Sequence, residues 1–166
     1  MVLSEKPGAF DHSNQIQALT RQGAIETLGR AAKAGLVHTV SNNQRGTWYI
    51  CNCCTCSCGI LRGISELGIA NAVARSEFVN QANEALCTGC GDCVEYCQFG
   101  ALSVDSFVHV DSQRCLGCGV CVSACLEEAF SLVRRPESEI EPPPLDEAAW
   151  FRQRAAQRGL DINLVL

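Results

Sequence analysis

The sequence predicts an α+β chain in which a duplicated, cysteine-bearing module sits between a small helix-plus-hairpin region and a helical tail. Three observations carry this expectation. Thirteen of the 166 residues are cysteine, a density approaching that of a disulfide or metal scaffold. Eight of them fall in two runs at a single offset of 28 residues, so the second run reads as a copy of the first. Upstream, apolar residues at helical spacing give way to two β-prone runs around a polar loop.

Taken in order, residues 1–19 read as a polar lead-in without periodicity. Its first ten residues hold an acid, a base, a proline and a glycine where an export signal needs a continuous apolar stretch, so no export is expected. Residues 20–77 form the helix/hairpin region. Thr20 is a plausible N-cap, Ile25, Leu28 and Ala32 share a face, and Gly35 stands where a helix stops, which predicts a helix at about 21–34. Residues 36–40 and 47–50 are β-prone and flank a turn-rich stretch, predicting a hairpin. A helix followed by a hairpin resembles half of a winged-helix domain. Residues 1–50 hold five Lys or Arg against three acids, too weak a bias for a DNA-reading role. A short helix is expected over 60–67, ended by Gly68. The duplicated module occupies residues 78–135, and residues 136–166 follow as a tail. There Pro136 and Pro142, Pro143 and Pro144 predict a stiff linker, and 145–158 a helix whose Arg152, Arg154 and Arg158 suit its C-terminal dipole.

Composition narrows the function classes. A net charge of −5 argues against sequence-independent nucleic-acid binding, which needs clustered Lys and Arg to replace phosphate counterions. The longest uncharged run, residues 46–61, is interrupted by Asn52, Thr55 and Ser57 and is a poor match to the roughly 20 apolar residues of a bilayer span. The expectation is a soluble, cytoplasmic chain with protein partners and no membrane span. In a reducing compartment an odd number of cysteines, with Cys53 and Cys54 adjacent, makes a poor disulfide framework. Metal ligation is the better explanation.

The repeat explains what the cysteines do. Cys87, Cys90, Cys93 and Cys97 follow the spacing C-x2-C-x2-C-x3-C, and Cys115, Cys118, Cys121 and Cys125 repeat it, together with Gly89 and Gly117, Gly91 and Gly119, Val94 and Val122, and Ala101 and Ala129. Three cysteines two residues apart can wrap a loop around one cubane, with glycines letting the backbone turn its N–H groups toward sulfur. Four-cysteine zinc sites favour two separated C-x-x-C pairs instead. The spacing is that of the bacterial ferredoxin run, and residues 78–135 resemble the bacterial two-cluster ferredoxins. The resemblance implies a pseudo-symmetric βαββαβ fold with two 4Fe–4S clusters, one held by Cys87, Cys90, Cys93 and Cys125 and the other by Cys115, Cys118, Cys121 and Cys97. The proline that usually follows the fourth cysteine is replaced by Gln98 and by Leu126, which frees a backbone donor near each cluster and bears on their potentials.

Cys51, Cys53, Cys54, Cys56 and Cys58 lie outside this pattern. A subset of them can ligate a third iron–sulfur cluster, alone or with a partner chain. Redox-active thiols and buried packing are the alternatives. With Gly35, Leu36, Val37 and His38, this segment is similar to a group of larger bacterial cysteine-rich 4Fe–4S proteins. In that group the stretch matching about 20–135 forms the C-terminal portion, and a partner subunit is expected to supply the part that precedes it. His12, His38 and His109 read as ordinary structural or surface residues, His38 being the one to check against residues 51–58. No nucleophile–base constellation, P-loop or dinucleotide fingerprint is present. The expected function is single-electron transfer through iron–sulfur clusters, as a non-catalytic component of an oxidoreductase complex. The alternatives are a redox or iron–sulfur sensor, and a catalytic metal centre at residues 51–58 fed by the ferredoxin module.

Overall fold

A computed structural model describes residues 1–69 and 72–162. The last four residues of the expected tail, and residues 70 and 71, lie outside the described set. The chain is a mixture of helices and small sheets, divided into two compact units. The larger unit comprises Ala18–His38 and Asn52–Ile140, and the smaller one Met1–Gln17, Thr39–Cys51 and the chain from Glu141 onward. Among the described residues, no helix is long and apolar enough to cross a membrane.

The larger unit begins with α1 (Arg21–Lys33). The Thr20 side chain accepts the Gly23 N–H at 3.1 Å, satisfying one of the donors that a helix start leaves unpaired. Gly35 takes φ +75° at the other end, and the Leu36 N–H returns to the Ala31 carbonyl at 3.0 Å to close the last turn. The chain then enters β1 (Val37–Thr39), which pairs with β2 (Cys51–Cys53). This corrects the expected hairpin, whose second strand was placed over residues 47–50. That run is β-prone but finds a different partner: Val2 bridges Tyr49, and the Leu3 N–H donates to the Trp48 carbonyl at 2.7 Å. The ladder partner of β1 is therefore the start of the cysteine-rich segment. Next comes α2 (Gly59–Ser65), with Cys58 at its N-cap.

From β3 (Phe78–Ala82) the order is α3 (Asp92–Tyr96), β4 (Leu102–Val104), β5 (Val108–Val110), α4 (Val120–Ala124) and β6 (Phe130–Arg134). β3 pairs antiparallel with β6 from Phe78 opposite Arg134 to Ala82 opposite Phe130, and β4 pairs antiparallel with β5. The two helices stand at the same 28-residue offset as the cysteines. Hydrogen bonds obey it too: Asn83 N–H donates to the Ala129 carbonyl and Asp111 N–H to the Ala101 carbonyl, each at 2.8 Å. Each strand thus pairs with a strand of the opposite half, and α3 packs on α4.

The core of this unit is small, and its thiols belong to it. One buried cluster joins Leu102, Val108 and Phe130 with Cys93 and Cys121. A second joins Val37, Leu61, Phe99 and Val120, with Leu61 only 1% exposed. Removing so little apolar surface from water leaves the unit short of stabilisation from packing alone.

In the smaller unit, α5 (Glu147–Gln157) is capped by Asp146, whose carboxylate accepts the Ala149 N–H at 2.7 Å. The Arg154 guanidinium lies 4.8 Å from the Trp150 ring centroid. The proline run ahead of α5, expected as a linker, serves as an acceptor edge. Gln44 donates its backbone N–H to the Pro144 carbonyl at 2.9 Å and its side chain to the Pro143 carbonyl at 2.8 Å.

Candidate metal centre

Each cysteine loop is positioned by the same local devices. The Cys87 N–H bonds the Asn83 carbonyl at 3.2 Å and the Cys115 N–H the Asp111 carbonyl at 2.9 Å, turning the chain into its loop. Gly91 and Gly119 stand in the left-handed region as N-caps of α3 and α4. Cys93 and Cys121 lie in the first turns of those helices, and Cys97 and Cys125 are their C-caps in extended conformation. The extended caps turn the fourth thiol of each run out of its own helix.

The thiols gather into two quartets. Cys93, 6% exposed, is raised above the ordinary thiol value first by burial and then by the charges of Cys90, Cys125 and Cys87. Cys121, 8% exposed, is pushed up to about 12, first by burial and then by Cys118, Cys97 and Cys115. Burial also raises Cys118, with Cys97 and Cys115 adding to it. In both quartets three thiols come from one loop and the fourth from the other half of the module. The first quartet lines a cavity of about 210 Å³, walled by Val104, Ala129 and Phe130 and edged by Leu126. Among the described residues, no three His, Cys, Asp or Glu side chains are arranged to hold a single ion. Soft thiolates distributed around an apolar-walled cavity are the donor set of an iron–sulfur cluster, and the residues present fit that group.

Backbone donors already reach the sulfurs. The Ala101 N–H donates to Cys97 Sγ at 3.3 Å and the Ala129 N–H to Cys125 Sγ at 3.4 Å, again one offset apart. The quartets differ, however, in their side chains. Asn80, 5% exposed on β3, donates its amide to Cys121 Sγ at 2.9 Å. Its counterpart at the 28-residue offset is Val108, which has no polar group to offer. The buried Arg135 donates to the Cys115 carbonyl at 3.0 Å, which places a cation beneath the second loop. Neither Asn80 nor Arg135 was among the expected site residues. A polar residue at an inward strand position, set against an apolar one in the other copy, was the available signal.

The raised thiol values give a pH dependence of assembly. Cys93, Cys118 and Cys121 are protonated at neutral pH, whereas metal takes the thiolate, so loading releases protons. Iron and sulfide incorporation should therefore increase between pH 6.5 and 8.5, by about tenfold in apparent affinity per unit for each proton released. Absorbance-monitored reconstitution at fixed iron checks this, and a flat profile contradicts it.

Within residues 51–58, Cys54 and Cys56 are joined in a disulfide. Cys51, Cys53 and Cys58 are thiols, with Cys51 in the smaller unit. Cys58 is lowered by the Leu61 backbone N–H above all, helped by the Ile60 N–H and by the Cys53 thiol. Cys53 and Cys58 pack against the Val37, Leu61, Phe99 and Val120 cluster, as do Cys97 and Cys118 of the second quartet. The residue that replaces proline after Cys97 ties these parts together. Gln98 accepts the Thr55 N–H at 2.7 Å and donates to the Gly35 carbonyl. Leu126, at the matching position of the other half, is 90% exposed. His38 donates from Nδ1 to Asn52 Oδ1 at 2.7 Å, and His109 bonds Asp105 at 3.0 Å.

No curated protein matches the chain. Residues 86–132, which span both cysteine runs and the strands between them, match the family model of a 4Fe-4S dicluster domain, and this chain accordingly carries an iron–sulfur, ferredoxin-like module.

Proposed function

We propose that residues 78–135 form a two-cluster ferredoxin of the bacterial type, with its halves related by a pseudo-two-fold. Cys87, Cys90, Cys93 and Cys125 hold one 4Fe–4S cluster, and Cys115, Cys118, Cys121 and Cys97 hold the other. The chain relays single electrons to or from a redox protein, as a component of a cytoplasmic oxidoreductase complex. The grouping of thiols into two quartets, each completed from the opposite half, is the observation that supports this most. Bound clusters supply one-electron chemistry, and the protein sets access, insulation and potential. Leu102, Val108 and Phe130 pack with Cys93 and Cys121, one thiol from each quartet. Asn80 stabilises added negative charge on the Cys121 sulfur, so the site completed by Cys97 should be the first reduced.

Two expected results test this reading. Asn80→Val should lower the midpoint potential of the second site by about 20–60 mV, equivalent to losing one net hydrogen bond of about 0.5–1.5 kcal/mol. An anaerobic potentiometric titration followed by electron paramagnetic resonance reads it, and an unchanged pair of potentials contradicts it. Iron removal by chelator should abolish the visible absorbance and the secondary structure of residues 78–135 together, because the remaining core is too small to hold the unit. A metal-free module that keeps its circular dichroism contradicts that dependence.

A further inference from the structure

We infer that the Cys54–Cys56 disulfide is a redox-active centre that takes two electrons from the adjacent ferredoxin site and passes them to a substrate disulfide. This rests on the electron-transfer reading above and extends it to an activity. Three observations and one general rule carry it. The bond spans one residue, so it closes almost no chain and constrains the unfolded state little, which leaves it without a structural purpose. In a reducing cytoplasm such bonds are transient and catalytic or redox-sensing. Cys54 is half-buried while Cys56 is exposed, so one end of the bond faces solvent. Thr55, between the two sulfurs, is held through its N–H by Gln98, the residue following Cys97.

Gln98 is thus a positioning residue. Its amide fixes the disulfide segment on one side and the turn after α1 on the other, and its backbone continues directly into a thiol of the second quartet. Cys53 and Cys58, on either side of the bond in sequence, pack against the same apolar cluster as Cys97 and Cys118. In the reducing step two electrons arrive singly from the cluster site, itself recharged by a low-potential one-electron donor, and two protons come from solvent. The Cys54–Cys56 S–S bond breaks and two thiols form. In the delivering step those thiols reduce a substrate disulfide: its S–S bond breaks, the Cys54–Cys56 bond re-forms, and both protons leave with the two product thiols.

Trypsin cleavage after Arg45 and Arg62 isolates all five cysteines in peptide 46–62. Anaerobic protein is reduced with photoreduced deazaflavin, quenched in acid, alkylated and weighed, while absorbance and iron content report the clusters separately. Oxidised protein should show three alkylated cysteines, at Cys51, Cys53 and Cys58, and reduced protein five. Gln98→Leu should retain its iron but gain the extra labels roughly tenfold more slowly, the effect expected of losing the hydrogen bonds that seat the segment. Gln98→Glu keeps the acceptor for Thr55 but loses the donor to the Gly35 carbonyl, so its rate should fall between those of Gln98→Leu and the wild type. A Gln98→Leu rate equal to wild type overturns the route through Gln98. Reduced protein is then mixed with cystine and, separately, with oxidised insulin. Return to three labels in either arm supports exchange and identifies a small or a protein disulfide as the source, and five labels in both overturn it. Chains with intact, reducible clusters whose peptide stays at three labels overturn the inference alone. Chains without clusters overturn the reading beneath it. Five labels already present in oxidised protein that holds about twelve irons overturn the inference in favour of a third cluster, whose ligands acid releases as thiols.

Discussion

Replacing Cys97 with Ala should remove the iron held by Cys115, Cys118 and Cys121 and leave intact the iron held by Cys87, Cys90, Cys93 and Cys125. Cys97 belongs to the first run in sequence, yet its charge acts on Cys118 and Cys121, and Cys93 feels Cys125 instead. The placement follows from the C-cap of α3, where extended backbone carries the thiol across to the other half. Iron content should fall from about eight to about four per chain, and the magnetic interaction between two reduced sites should disappear from the paramagnetic resonance spectrum. Loss of the site built on Cys87, Cys90 and Cys93, with the other retained, contradicts the crossed arrangement. Cys125→Ala is the mirror experiment and should produce the complementary loss.

The second large effect is a packing one. Gly117→Ala should destabilise the loaded protein by about 3–5 kcal/mol, combining a left-handed backbone with a steric clash. Gly117 has φ +73°, and a Cβ there would lie 1.9 Å from the Phe78 carbonyl oxygen, a backbone atom of β3 that cannot move aside. Gly68 provides the comparison. It has φ +65° with nothing among the described residues within 4 Å of a Cβ, so Gly68→Ala should cost only about 1–2 kcal/mol. Thermal melts of the two variants under anaerobic conditions separate the terms, and near-native stability of Gly117→Ala contradicts this packing. The glycines of the cysteine loops were read as permitting close backbone approach, and at Gly117 the approach is made by β3.

What could be read from the sequence was what is local or repeated. Thr20, the apolar spacing after it and Gly35 delimit α1 to within a residue of Arg21–Lys33, because capping and periodicity act within a few residues. The offset of 28 residues carries over from the cysteines to α3 and α4 and to the paired hydrogen bonds. What could not be read depends on partners distant in sequence. Residues 47–50 have strand propensity, but nothing local says that Val2 lies opposite Tyr49. Spacing alone does not reveal that Cys54 bonds Cys56, since neighbouring thiols have many possible pairings. The loss of proline after Cys97 was noticed for the backbone N–H that it frees. Its larger consequence is the Gln98 side chain, which reaches Thr55 and Gly35 across 43 and 63 positions of sequence.

Iron and acid-labile sulfide, measured per chain on anaerobically purified protein, test the two-cluster assignment most directly. The expected result is about eight of each, the content of two 4Fe–4S clusters. Zinc in place of iron, or about four irons in protein that keeps all eight cysteines of the two runs, would contradict it.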